Sequence, residues 1–212
     1  MKNLFDAVQR PVMDPDYSPT PGYTEAEWAK LVFTARDHHR IAAYRKRAYA
    51  LLLMLYTLAL RIDSLLNARV EHLGYDKGHH VLRMRVKGGA WRAKPIPPVA
   101  WDALQDYLDS RIEGWLFCTS SGAQFDEPAV WRLCAVLARR AGLPVRGPHG
   151  VKGDGVTHAL AKPDARPDKV QSWADHKDSR TTQRYSRRRQ LLDDSPGSGL
   201  GADLAGALAS DT

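Results

Sequence analysis

The chain has 212 residues, of which 43% are hydrophobic and 26% charged, a composition typical of a soluble globular protein with a real core. Lysine and arginine number 31 against 24 acidic residues, so the net charge is +7 and the isoelectric point is near 9.5, which favours a polyanionic partner. The two cysteines, Cys118 and Cys134, lie in apolar stretches, which disfavours a disulfide framework or a zinc site and favours reduced, buried thiols.

The N-terminal part begins with a leader and continues with two predicted helices. Four prolines interrupt residues 1–22, so no long helix can run through this leader. The sequence Thr24-Glu25-Ala26-Glu27 fits a capping box and predicts the start of the first helix. Residues 41–60 are apolar on nearly every helical face, which predicts a buried second helix. Its apolar run is too short to span a bilayer and no signal peptide precedes it, so we expect a cytoplasmic protein without a membrane partner.

A β-hairpin is predicted in the middle of the chain. Residues 81–86 and 92–96 both alternate between apolar and polar side chains, and Gly88-Gly89 lies between them. Because every other strong pattern is helical, the predicted fold class is mainly α with a small antiparallel β-sheet.

The remaining elements are predicted to be helices separated by one long loop. Helices are expected from Pro98, from about Glu127 to Ala141, and from Pro167. Residues 144–155 are rich in glycine and polar side chains, which predicts a loop. His158 would then lie at the start of the helix that follows this loop.

Tyr185 is the candidate nucleophile. Two histidines, His158 and His176, precede it, and a phenol needs a base or a cationic setting to react at neutral pH. Attack on a phosphodiester would build negative charge that fixed cations stabilise. Taken alone, the same residues also describe a surface tyrosine on a basic helix. The candidate DNA-backbone contacts around it are Arg180, Arg184, Arg187, Arg188 and Arg189.

Five residues in order resemble the active site of the tyrosine recombinases, the phage integrase family: Arg61, Lys87, His158, His176 and Tyr185. The resemblance rests on the motifs Leu60-Arg61-Ile62, Val86-Lys87-Gly88, Thr157-His158-Ala159-Leu160 and Asp175-His176 through Thr181-Thr182-Gln183-Arg184-Tyr185. It covers the chain from about Tyr23 to Arg189. It implies a recombinase catalytic domain at residues 23–190, followed at 191–212 by a linker and a short tail helix.

The resemblance also implies a reaction. Tyr185 would form a 3′-phosphotyrosyl link and release a 5′ hydroxyl, while Lys87 protonates the leaving oxygen and Arg61 holds the phosphate. Neither a metal nor a cofactor is implied, and the sequence has no carboxylate cluster of the two-metal kind. The implied partner is double-stranded DNA, with homo-oligomerisation on DNA through the tail as a further expectation. The short leader leaves two interpretations, a bare catalytic domain or a natural single-domain relative.

Several positions depart from the family pattern. After the first histidine the family has His-x-x-Arg, whereas here Ala161 stands in place of the arginine. Asp175 replaces the usual glycine before the second histidine, Ser64 replaces an acidic residue, and the segment after His158 is too short for the usual helix. These departures predict an impaired site unless Arg166 fills the vacant place.

Three functions therefore stay open from the sequence. The first is a recombinase that cleaves and rejoins DNA, with reduced activity. The second is a catalytically inactive relative that binds DNA or regulates, and the third is the same fold recruited to a role without DNA.

Overall fold

The computed structural model describes residues 22–85, 91–176 and 179–182, and its elements confirm a mainly helical fold with a small antiparallel sheet. In chain order the elements are α1 (Glu25–Ala35), α2 (Ala42–Thr57), α3 (Ile62–Leu66), β1 (Leu73–Asp76), β2 (His79–Arg85), β3 (Trp91–Pro95), α4 (Pro98–Leu108), α5 (Glu127–Arg140), α6 (His149–Leu160) and α7 (Pro167–Trp173). Within these ranges no helix is long and apolar enough to cross a membrane.

The sheet contains the predicted hairpin and one additional strand. β2 pairs with β3 in antiparallel register, with Leu82 opposite Lys94 and Met84 opposite Arg92. β1 pairs with the other edge of β2 and was not predicted, because it has only four residues and is exposed at one end. The segment between β2 and β3, residues 86–90, lies outside the described residues and includes Lys87.

The core is built around α2, as its apolar pattern predicts. Residues 50–55 are all buried, and the helix packs against α1, α4 and α6. α2 ends at Thr57 rather than at Leu60, because Ala59 adopts a left-handed backbone conformation with φ +48°. The chain then turns so that Leu60 stays buried while Arg61 emerges at the surface.

Local signals locate the other helices correctly. Thr24 and Glu27 form the predicted capping box, with Glu27 N donating to Thr24 Oγ1 over 3.2 Å and Thr24 N donating to Glu27 Oε2 over 2.8 Å. α5 ends before Gly142, which has φ +64°. Cys134 on α5 is buried, whereas Cys118 is half-buried, and both are free thiols.

The predicted loop at residues 144–155 is correct only for residues 144–148, because residues 149–155 are helical. α6 begins at His149, directly after Pro148, and includes three glycines. Tertiary packing selects the helix: a Cβ atom on Gly155 would lie 3.0 Å from the Tyr56 carbonyl oxygen, so glycine lets α6 approach α2 closely. His158 consequently lies in the last turn of α6, and a helix precedes it where the sequence predicted a loop.

Candidate active site

Arg61 lies where the core helix gives way to the surface. It is the N-cap residue of α3, and its exposed side chain lines an open groove of about 570 Å³ beside the sheet. Ser64, Asn67, His72 and Trp91 line the same groove. An arginine fixed at the edge of a core has a defined direction, which suits bidentate contact with a phosphate.

His176 follows α7 and is held by its backbone and by its ring. Its backbone N–H donates to Gln171 O over 3.1 Å, and its Nδ1 lies 3.0 Å from Thr182 Oγ1. Burial, then the charges of Lys152 and Arg61, lower the pKa of His176 to about 4. The imidazole is therefore neutral at physiological pH, and it stands in a strongly positive environment.

Lys152, which the sequence analysis did not select, is the second cation of this site. It lies in the first turn of α6 and its Nζ donates to the carbonyl oxygen of Ala174, two residues before His176. Burial, then the positive charges of Arg61 and Lys94, lower the pKa of Lys152 to about 8. Its charge therefore acts on His176, and the charge of Arg61 acts on it.

His158 has different surroundings. Its Nε2 lies 2.9 Å from the Tyr23 carbonyl oxygen, and its Nδ1 lies 2.7 Å from Tyr56 Oη. Since the carbonyl can only accept, Nε2 carries the proton and Nδ1 accepts from the tyrosine hydroxyl. Both ring nitrogens have partners within the protein, which favours a structural role for His158 over contact with a phosphate.

Helix geometry explains why the two residues of α6 differ. His158 and Lys152 are six residues apart, which separates them by about 120° around the helix and about 9 Å along it. Lys152 faces the turn that carries His176, whereas His158 faces Tyr56 of α2. The largest charge effects on the pKa of His176 come from Lys152, Arg61, Asp175 and Lys94.

The sequence predicts an unpaired negative charge beside the phosphate at Asp175. In the structure, the Asp175 carboxylate is paired. Its carboxylate lies 2.7 Å from Lys94 Nζ and 3.8 Å from an Arg92 nitrogen, both on β3. The side chain is also largely buried. The predicted repulsion of a phosphate by Asp175 is therefore offset by these two cations.

The residues around the expected arginine position do not supply a guanidinium. Ala161 caps the C-terminus of α6. Arg166 is exposed, and its guanidinium pairs with Asp168 over 3.0 Å. The pattern His-x-x-Arg has a second match with one change, His149-Gly150-Val151-Lys152, which the glycine-rich composition of this segment obscured.

Part of the predicted site lies outside the described residues: Lys87, Tyr185, Arg184, Arg187, Arg188 and Arg189. The tail at residues 191–212 also lies outside them, so its expected part in oligomerisation stays a prediction. Arg180 is described and exposed, in a helical turn at residues 179–182. Among the described residues, no cluster of His, Cys, Asp and Glu could hold a metal ion.

Comparison with known proteins settles the family. Residues 24–191 match the model of the phage integrase family. The chain belongs to the phage integrase family. Among its curated relatives, the tyrosine recombinase XerA of Pyrococcus furiosus is 32% identical over 170 residues, which are 77% of this chain and 56% of that protein. The tyrosine recombinase XerC of Bifidobacterium longum is 28% identical over 71% of this chain and 46% of its own length. The chain thus spans about half the length of these relatives.

Solved structures show the same fold. The crystal structure of XerA recombinase superposes with a TM-score of 0.66 at 22% identity, covering 84% of this chain and 62% of that one. The XerH site-specific recombinase bound to its difH substrate superposes with a TM-score of 0.68 at 18% identity, covering 79% of this chain and 50% of that one. At these identities the likeness shows the fold alone.

Proposed function

We propose that this chain is a tyrosine recombinase catalytic domain that cleaves and rejoins double-stranded DNA through a 3′-phosphotyrosyl intermediate. The observation that carries the proposal is the grouping of two cations, Arg61 and Lys152, with the neutral imidazole of His176; we call these three residues the cation cluster. These side chains come from three separate segments, and burial, followed by the neighbouring positive charges, lowers the pKa values of Lys152 and His176. A bound phosphate would relieve this repulsion, so the cluster is suited to an anion.

The proposed reaction conserves the phosphodiester energy. The Oη of Tyr185 attacks the phosphorus atom, the bond from phosphorus to the 5′ oxygen breaks, and Lys87 gives that oxygen a proton. His176 is neutral, so it has a lone pair that can accept the phenolic proton. Arg61 and Lys152 hold the non-bridging oxygens while negative charge accumulates on them. Attack by a 5′ hydroxyl on the phosphotyrosine reverses these steps and reseals the strand.

Lys152 changes the expectation of an impaired site. The sequence pattern predicts that Ala161 leaves the phosphate without its second cation. Lys152 supplies that cation from the preceding turns of the same helix, so activity does not require an arginine at position 161. Lysine offers a point charge where arginine offers a two-pronged contact, and phosphate sites accept either.

A nicked suicide duplex tests the proposal. The parent protein should accumulate a covalent protein–DNA adduct in a single turnover, and Tyr185→Phe should abolish the adduct while DNA binding persists. Tyr75→Phe is the matched control, because Tyr75 is an exposed tyrosine on β1. An adduct that survives Tyr185→Phe identifies another nucleophile. Binding without any adduct from the parent protein favours the inactive DNA-binding relative.

DNA binding itself is proposed to be mainly electrostatic. Affinity should fall steeply with salt, and replacing Arg187, Arg188 and Arg189 together with alanine should reduce the salt slope by about one for each phosphate that these side chains neutralise. Binding to unrelated duplexes should weaken equally, since backbone contacts carry no sequence information. Affinity that is flat between low and moderate salt would leave the role without DNA as the better explanation.

A further inference from the structure

Two residues with unusual environments meet beside the cation cluster. Lys94 is buried within β3, although lysine is almost never fully buried without a partner. Asp175 has a left-handed backbone with φ +53°, a conformation that residues other than glycine rarely adopt. Their charged groups lie 2.7 Å apart. A buried charge on either residue alone would be unfavourable, and the opposite charge of its partner compensates for that burial.

Lys94 connects three elements through one ammonium group. Besides Asp175, its Nζ donates to the carbonyl oxygen of Leu58 over 3.1 Å and to that of Trp173. Leu58 caps the C-terminus of α2 and Trp173 is the last residue of α7. The three donors of the ammonium are thus matched by three acceptors, which fix the C-terminal ends of two helices against β3.

The location of this ion pair relates it to the cation cluster. Asp175 directly precedes His176, and Ala174, whose carbonyl oxygen accepts from Lys152, directly precedes Asp175. On the other side, β3 directly follows residues 86–90, the segment that includes Lys87. The pair therefore joins the base of the hairpin to the short turn, residues 174–176, that orients two members of the cluster.

We propose that Lys94 and Asp175 form a positioning ion pair for strand cleavage, which clamps the turn at residues 174–176 to the hairpin and keeps the Asp175 carboxylate away from the DNA phosphate. This inference rests on the proposed function. The pair acts through Lys152 and His176 and does not itself touch the reacting atoms. It gives a left-handed turn a charged anchor where the backbone conformation would otherwise favour glycine.

Three variants test the clamp in single-turnover cleavage of the nicked duplex. Lys94→Met leaves the Asp175 carboxylate with only the more distant Arg92, at 3.8 Å, and Asp175→Asn leaves the buried Lys94 without its carboxylate. Each variant should slow cleavage by about 10- to 100-fold through misplacement of the cluster, with DNA affinity nearly unchanged. The double variant Lys94→Met/Asp175→Gly contains no unpaired buried charge and suits a left-handed turn. It should recover thermal stability yet still cleave about tenfold more slowly than the parent, because the clamp is gone.

The pH profile provides a readout that a purely stabilising pair would not move. The charged groups facing Lys152 are Arg61, Lys94, Asp175 and, once protonated, His176. Cleavage should decline at alkaline pH as Lys152 loses its proton. Asp175→Asn removes a charge that raises the pKa of Lys152, so the decline should shift to lower pH. Lys94→Met removes a charge that lowers it, so the decline should shift to higher pH.

The control variant is Lys46→Met, which removes an exposed ion pair of the same 2.7 Å length, between Lys46 and Asp106. This variant should leave the single-turnover cleavage rate and its pH profile unchanged. Faster cleavage by Asp175→Asn, or parental cleavage by the double variant, would overturn the clamp. If the single variants fail to fold, the double variant decides alone by its rate. No adduct from the parent protein would overturn the proposed function and the clamp together, whereas an adduct with unaffected variants would overturn the clamp alone.

Discussion

His158 and His176 are equally buried, at 8% and 9% exposure, yet they belong to different kinds of region. His158 lies in an aromatic network in which Tyr56 and the Tyr23 backbone occupy both ring nitrogens. Asp154, one turn earlier on α6, strengthens this network by accepting from Trp28 Nε1 and from Tyr23 N, each over 3.1 Å. The network joins the start of the described chain to α2 and α6, and its contribution is to stability.

The region around His176 has the opposite character. Arg61, Lys94 and Lys152 converge there, and Asp175 is the carboxylate that acts against them. The remaining positive charge is unfavourable in the protein alone and favourable once an anion binds. Burial and residue type are shared by the two histidines, so the charges and hydrogen-bond partners around each one decide its role.

The largest expected effect on cleavage comes from replacing Lys152, which belongs to the region around His176. Lys152→Ala removes a cation that stabilises the transition state, so single-turnover cleavage should fall roughly a hundred- to a thousandfold. Lys162→Met is a suitable control just beyond the end of α6, where Lys162 pairs with Glu25 at the surface. Cleavage by Lys152→Ala at the parental rate would show that the cation cluster is not the phosphate site.

Replacing His158 should have the complementary result. His158→Phe leaves Tyr56 Oη and the Tyr23 carbonyl without their partner, which should lower the free energy of unfolding by about 1–3 kcal/mol. The folded variant should still form the covalent adduct. Chemical denaturation and the suicide-duplex assay measure the two quantities separately, and loss of cleavage in a fully folded variant would return His158 to the active site.

The close contact of α6 with α2 underlies both regions and can be tested at its glycines. Gly155→Ala would place a methyl group 3.0 Å from the Tyr56 carbonyl oxygen and should destabilise the fold by about 1–3 kcal/mol. Gly150→Ala meets no atom within 4 Å and should stabilise α6 by up to about 1 kcal/mol. Equal effects at the two positions would mean that helix propensity, and not packing, controls this helix.

The smallest expected effect is on the pH dependence of stability. The unfolded chain binds a proton at His176 near pH 6.5, whereas the folded protein does so only near pH 4, so acid should lower the free energy of unfolding across this interval. Denaturation of His176→Gln should show a weaker acid dependence than the parent. The pKa of Lys152 is likewise lower in the folded protein, about 8 against 10.5, so the unfolded chain binds more protons in this interval. The free energy of unfolding should therefore rise between about pH 8 and pH 10.5. If the free energy of unfolding of His176→Gln and of Lys152→Met depended on pH as steeply as that of the parent, the positive environment would be contradicted.

By itself, the sequence determined the elements whose signals are local. The capping box at Thr24, the prolines that begin α4 and α7, and the alternation of β2 and β3 act within a few residues, and the structure confirms each of them. The order of basic residues, histidines and tyrosine along the chain indicated the correct family, because attack of a tyrosine on a phosphodiester requires these residue types.

Only the tertiary structure decided which residues meet. The glycines of α6 predict a loop from sequence alone, but they allow a helix to pack against the Tyr56 backbone. In that helix Lys152 faces the turn that carries His176, whereas His158 faces Tyr56. The pairing of Lys94 with Asp175 spans 81 residues of sequence. Hydrogen bonds and charges act over a few ångströms in space whatever their separation along the chain, so a residue pattern can nominate these groups but their partners follow from the fold.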